Sequence, residues 1–88
     1  MNFERLYRIH RLIEMEATGP PSEFAKRFLI KRRQLFYLLE ELKSYGAVIK
    51  YNSIKSTYSY LEDFNFFEKT GLAFFFRKES EHFLKDNN

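Results

Sequence analysis

The 88-residue chain has no cysteine, no tryptophan, three glycines and two prolines. Without cysteine there is no disulfide framework and no thiolate metal site, which fits a reducing compartment. No apolar run reaches the length needed to span a bilayer, and no such run follows the N-terminus Met1-Asn2-Phe3-Glu4-Arg5, so no membrane association is expected and the chain reads as cytoplasmic. Enzyme chemistry also lacks its usual parts. There is no cysteine nucleophile, no glycine-rich phosphate loop and no histidine–carboxylate constellation, and the chain is too short to enclose an ordinary substrate pocket. Neither catalytic residues, nor metal ligands, nor a cofactor are therefore expected. The chain's length allows one small domain with one core.

What the chain has is positive charge in one half and aromatic residues in the other. Net charge is +3, and residues 1–43 hold nine Lys and Arg against six Asp and Glu, while the remainder holds six of each. The excess lies wholly in the first half, as expected of a half that faces a polyanion. Aromatic residues make up 19% of the chain, with eleven Phe and six Tyr, and they concentrate after residue 57. Such residues serve packing or strands.

Three helices are predicted. From Phe3 to Ala17, the residues Phe3, Leu6, Ile9, His10, Ile13 and Ala17 share one face, with Arg5, Arg8 and Arg11 opposite. The arginine stripe touches phosphates, through Arg5 first, or is simply solvated beside Glu4 and Glu14. His10 reads as a partly buried structural histidine, because the only other histidine, His82, lies far along the chain. Gly19 suits a helix exit and Pro21 a first helical turn, so Pro21 to Phe28 forms a second helix with Phe24, Ala25 and Phe28 inward. Leu29-Ile30 then turns the chain into the helix at 31–45, where Leu35, Leu38, Leu39 and Leu42 make an apolar stripe and Gly46 a stop.

The charge order of this third helix is unusual. The macrodipole favours acidic groups in the first turn by roughly 0.3–1 kcal/mol each, yet Lys31, Arg32 and Arg33 stand there and the acidic pair Glu40-Glu41 comes later. Two readings follow. The basic turn is a solvated surface, or it enters a DNA major groove, where Arg pairs with guanine and Gln with adenine.

After Gly46 the period changes to two. Residues 47–51 and 57–61 read as strands joined by the polar loop Asn52 to Ser56, which puts Lys55 near the tip of a hairpin. Helix, helix, turn, helix, hairpin is the order of a winged helix-turn-helix, an α+β fold.

Three segments, Arg8-Ile9-His10-Arg11-Leu12-Ile13, then Arg32-Arg33-Gln34-Leu35-Phe36 with Leu39-Glu40-Glu41-Leu42 and Tyr45-Gly46, then Ile49-Lys50-Tyr51-Asn52 closing with Tyr58-Ser59-Tyr60, resemble the winged helix-turn-helix domain of DeoR-type and WYL-type bacterial transcriptional regulators. The match covers residues 3 to about 61. It implies sequence-specific binding of double-stranded DNA by a small transcriptional regulator. Base contacts would come from Arg33, Gln34 and Tyr37, and phosphate contacts from Lys31, Arg32, Phe36, Lys55 and Arg5. Three departures stand out. Leu29 and Lys31 occupy places where the family usually has Gly and a Ser or Thr cap, and a lysine cannot accept the N–H bonds of such a cap, at a cost of about 1 kcal/mol. Phe36 stands where a phosphate-reaching tyrosine is common. Larger members carry an effector domain after the wing, so no small-molecule effector is expected here.

On this reading residues 1–61 form the winged domain, 62–78 an aromatic β-type extension and 79–88 a polar, disordered tail. Thr70-Gly71 would join two more strands, with Phe64, Phe66, Phe74 and Phe76 at strand spacing. That aromatic surface forms a homodimer contact through residues 64–76, or folds back onto the first helix. An alternative function, a winged-helix protein–protein interaction module, would use the same aromatic segment.

Overall fold

The computed structural model describes residues 3–71, an α+β arrangement of four helices and one two-stranded antiparallel hairpin. In chain order these are α1 (Phe3–Glu14), α2 (Pro21–Arg27), α3 (Arg32–Ser44), β1 (Ile49–Asn52), β2 (Thr57–Tyr60) and α4 (Phe66–Thr70). No helix among them is long and apolar enough to cross a membrane.

The core forms where the apolar stripes meet. Leu6, Ile9 and Ile13 of α1, Phe24 of α2, and Leu35 and Leu42 of α3 have no solvent exposure. Leu39 is nearly buried and Leu38 half-buried, so the expected leucine stripe faces inward. Ala47, Tyr58, Phe64 and Phe66 complete the cluster.

α1 to α3 end alike. Each finishes in a paired backbone closure: Ala17 N–H to Leu12 O with Glu16 N–H to Ile13 O, Ile30 N–H to Ala25 O with Leu29 N–H to Lys26 O, and Ala47 N–H to Leu42 O with Gly46 N–H to Lys43 O. This closure needs one residue with left-handed φ, filled here by Glu16 (53°), Leu29 (55°) and Gly46 (102°). Only the third is the residue type that accepts it without strain. The closure at Glu16 ends α1 three residues before the expected Ala17, which is exposed, and Gly19 lies beyond the exit instead of making it.

The hairpin is shorter than expected at 49–52 and 57–60, with Ile49 opposite Tyr60 and Asn52 opposite Thr57. The Asn52 side-chain oxygen accepts the N–H groups of Ile54 and Lys55, each at 3.0 Å, and so shapes the loop. Thr18 and Thr57 clamp β2 to the α1–α2 loop reciprocally. Thr57 Oγ1 accepts from Thr18 N–H at 3.1 Å, and Thr18 Oγ1 accepts from Tyr58 N–H at 2.9 Å.

One expectation fails at the aromatic extension. Residues 66–70 are helical where a strand was predicted, and Thr70-Gly71 closes that helix instead of joining two strands. Asn65 caps α4 by accepting Glu68 N–H at 3.0 Å, and Gly71 takes φ 80° at its end. Phe64 and Phe66 are buried together because the chain folds back onto α1, where Phe66 packs 5.4 Å from Tyr7 and 5.0 Å from His10, centroid to centroid. The parts of the extension and dimer contact at 72–78, including Phe74 and Phe76, lie outside the described residues, as does the tail at 79–88.

Candidate nucleic-acid interface

α3 divides into two faces. With Leu35 fully buried, the helical period carries Lys31, Arg32, Arg33, Gln34, Phe36 and Tyr37 outward, and all six are exposed. The basic first turn therefore reaches solvent as a group.

Its arginines are held by aromatic rings, not by acids. The Arg32 guanidinium lies 5.6 Å from the centroid of Phe36, and that of Arg33 lies 5.8 Å from the centroid of Tyr37. Arg33 Nε also donates to the Tyr37 hydroxyl at 3.0 Å. Each pair is spaced i, i+4, so the helix itself sets the contact. Among the described residues no carboxylate lies within ion-pair distance of Lys31, Arg32 or Arg33. By contrast Arg11 pairs with Glu14, Lys43 with Glu40 and Lys55 with Glu16. Arg32 also approaches the hairpin. Burial raises the pKa of the Tyr58 hydroxyl above its ordinary value, and the positive charge of Arg32 partly opposes the rise.

Gln34 has a second duty. Lys31 sits at the N-cap without a side-chain cap bond, and Gln34 Oε1 reaches back to accept Lys31 N–H at 2.9 Å. This is half of a capping box. The bond satisfies the cap residue's own N–H, and among the described residues no side chain accepts from the first-turn N–H groups of α3. It also occupies the amide oxygen that a two-bond contact with adenine would need. The signal was in the spacing, since Gln34 stands three residues after the cap position.

Two other expected contacts lie elsewhere. Lys55 Nζ sits at the hairpin tip 3.1 Å from Glu16, which ties the loop to the end of α1. Arg5 is half-buried along a cleft with Glu4, Arg8, Arg27, Phe28 and Leu29, between α1 and the α2–α3 turn. Leu29, at the place where the resemblance would put a Gly, is 92% exposed in a left-handed conformation two residues before Lys31.

His10 belongs to the interior. Its Nδ1 lies 2.8 Å from the Tyr60 hydroxyl and its ring stacks on Phe66. Burial lowers its pKa below the ordinary 6.5, with Glu14 pulling upward and Arg11 further down. Burial also raises the pKa of Tyr60 well above that of a free tyrosine, and Glu14 adds to the rise. Among the described residues no three His, Cys, Asp or Glu side chains converge on a metal position. No family model, curated protein or solved structure matches the chain.

Proposed function

We propose that the chain is a winged helix-turn-helix protein of the DeoR-like kind, a small cytoplasmic transcriptional regulator that binds double-stranded DNA with the start of α3 in the major groove. The observation that carries this reading is the group Lys31, Arg32 and Arg33: exposed, its two arginines positioned by rings, and without acidic partners among the described residues, on a helix whose other face is buried. Phosphates are the partner such a group lacks. Arg33 and Tyr37 reach base edges, Arg32 and Lys31 take phosphates beside them, and the first-turn N–H groups add a positive dipole end. Gln34 contributes through its NH₂ group while its oxygen holds the cap. The hairpin after α3 supplies the wing, and Lys55 reaches a phosphate only by leaving Glu16.

The assembly reading draws less support from the described residues. The aromatic groups it would use at 64 and 66 are buried in the protein's own core.

Fluorescence anisotropy with a random-sequence duplex pool tests the proposal, using wild type and the Arg32→Ala plus Arg33→Ala variant at two salt concentrations. Binding that weakens steeply with salt and weakens again in the variant is expected. Equal binding by the variant, or none by wild type at low salt, would overturn it.

A further inference from the structure

A second arginine group lies where α1 meets the end of α2. Arg8 of α1 and Arg27 at the end of α2 line two clefts, of about 460 Å³ and about 250 Å³, which share Arg8, Arg27 and Phe28 as a common wall. Both arginines are exposed, and neither has a carboxylate in ion-pair distance among the described residues. Each is nevertheless positioned. The Arg8 guanidinium lies 5.4 Å from the centroid of Phe28, and Arg27 Nη1 donates to the carbonyl oxygen of Ala17 at 2.8 Å.

Two like charges on one wall repel, and the nearby acids do little to relieve them. Glu14 is taken by Arg11, and Glu4 lines only the smaller cleft. A guanidinium held by a ring or a carbonyl keeps further N–H donors for a ligand, and its ordering cost on binding is already partly met. Planar guanidinium donors that line one cleft suit the oxygens of a phosphate. The smaller cleft is bordered by Leu29, so this wall and the basic turn at Lys31 lie at the two ends of one short connection.

We propose that Arg8 and Arg27 form a phosphate site, separate from the start of α3, that takes a backbone phosphodiester of the bound duplex. This rests on the DNA-binding reading for the source of the phosphate but not for the site itself. The site adds affinity without reading sequence, because a phosphate contact fixes position and carries no base information. Arg27 and Phe28 bring it to the helix that precedes α3.

Two measurements on the full chain test it. In the first, duplex affinity is followed across a salt series for wild type, Arg8→Gln, and Arg8→Gln with Arg27→Gln, each variant first checked for its melting transition. Loss of one phosphate contact should lower the slope of log affinity against log salt by about 1 and leave sequence preference unchanged. Should the double variant fail to fold, Arg8→Gln alone reads the same slope. In the second, inorganic pyrophosphate is titrated against the Arg8 and Arg27 side-chain Nε–H signals in NMR spectra. Shifts at both, together with the reduced slope, support the proposal, and a reduced slope alone supports it with a polymeric phosphate preferred. Pyrophosphate shifts with an unchanged slope overturn the duplex as source in favour of a free phosphorylated molecule. An unchanged slope with no shifts overturns the site. If wild type binds no duplex but pyrophosphate shifts both arginines, the DNA reading falls while the phosphate site stands.

Discussion

The chain uses aromatic rings in two ways, and the contrast separates rings that build the core from rings that hold exposed charge. Around His10, the rings of Tyr7, Tyr60, Phe64 and Phe66 pack against one another with centroids 5.0–5.9 Å apart, and Phe64 and Phe66 are buried. On α3, Phe36 and Tyr37 are 40% and 60% exposed, and each meets a guanidinium. Ring packing stabilises the first group. In the second, the rings stay partly exposed and stiffen long basic side chains, so aromatic content alone says nothing about function until the placement of charge is known.

Loss of a core ring should be far more costly than loss of a ring on α3. Phe66→Ala leaves a cavity beside Tyr7 and His10 and should cost about 3–5 kcal/mol in urea unfolding, whereas Phe36→Ala should cost about 1 kcal/mol. Similar costs for the two would mean that the α3 rings are structural after all.

Backbone strain sharpens the contrast next to α3. Leu29 holds φ 55° with almost no buried surface, so Leu29→Gly loses little packing and relieves the left-handed penalty. After the extra freedom gained by the unfolded chain, a net stabilisation of about 0.5–1 kcal/mol is expected from the same unfolding measurement. Destabilisation would show that Leu29 packs in a way its exposure does not suggest.

The smallest effect is a pH dependence confined to the buried group. Because burial lowers the pKa of His10, the unfolded chain holds more protons than the folded one between 6.5 and the lowered value. Stability should therefore show no His10 slope above pH 6.5 and should fall as pH drops below it, levelling off once the folded value is passed. Thermal melts across about pH 4.5–8 on wild type and His10→Gln check this, with a flatter profile expected for the variant.

Much of this was legible in the sequence where a periodic stripe and a stop residue agree. Leu35, Leu39 and Leu42 with Gly46 define α3, and the change to period two after it marks the hairpin. α4 was misread because Phe64 and Phe66 fit a period of two, while the competing signal, Asn65 followed three residues later by Glu68, is a capping pattern that outweighs alternation in so short a segment. The early end of α1 had no sequence signal, since Glu16 is not a residue type that favours left-handed φ. In the candidate site, the basic turn of α3 was visible as a charge order at odds with the macrodipole. Its pairing with Phe36 and Tyr37 follows from i, i+4 spacing, whereas the Arg8–Arg27 wall joins two helices that only tertiary packing brings together.

The most direct test of the account is a titration of the ¹⁵N-labelled full chain with a random-sequence duplex at low salt, following every backbone amide. Binding through α3 predicts that the largest shifts fall on residues 31–37, with signals around His10 and α4 nearly unmoved. Shifts centred on residues 64–71 with 31–37 unchanged, or no shifts anywhere, would contradict it.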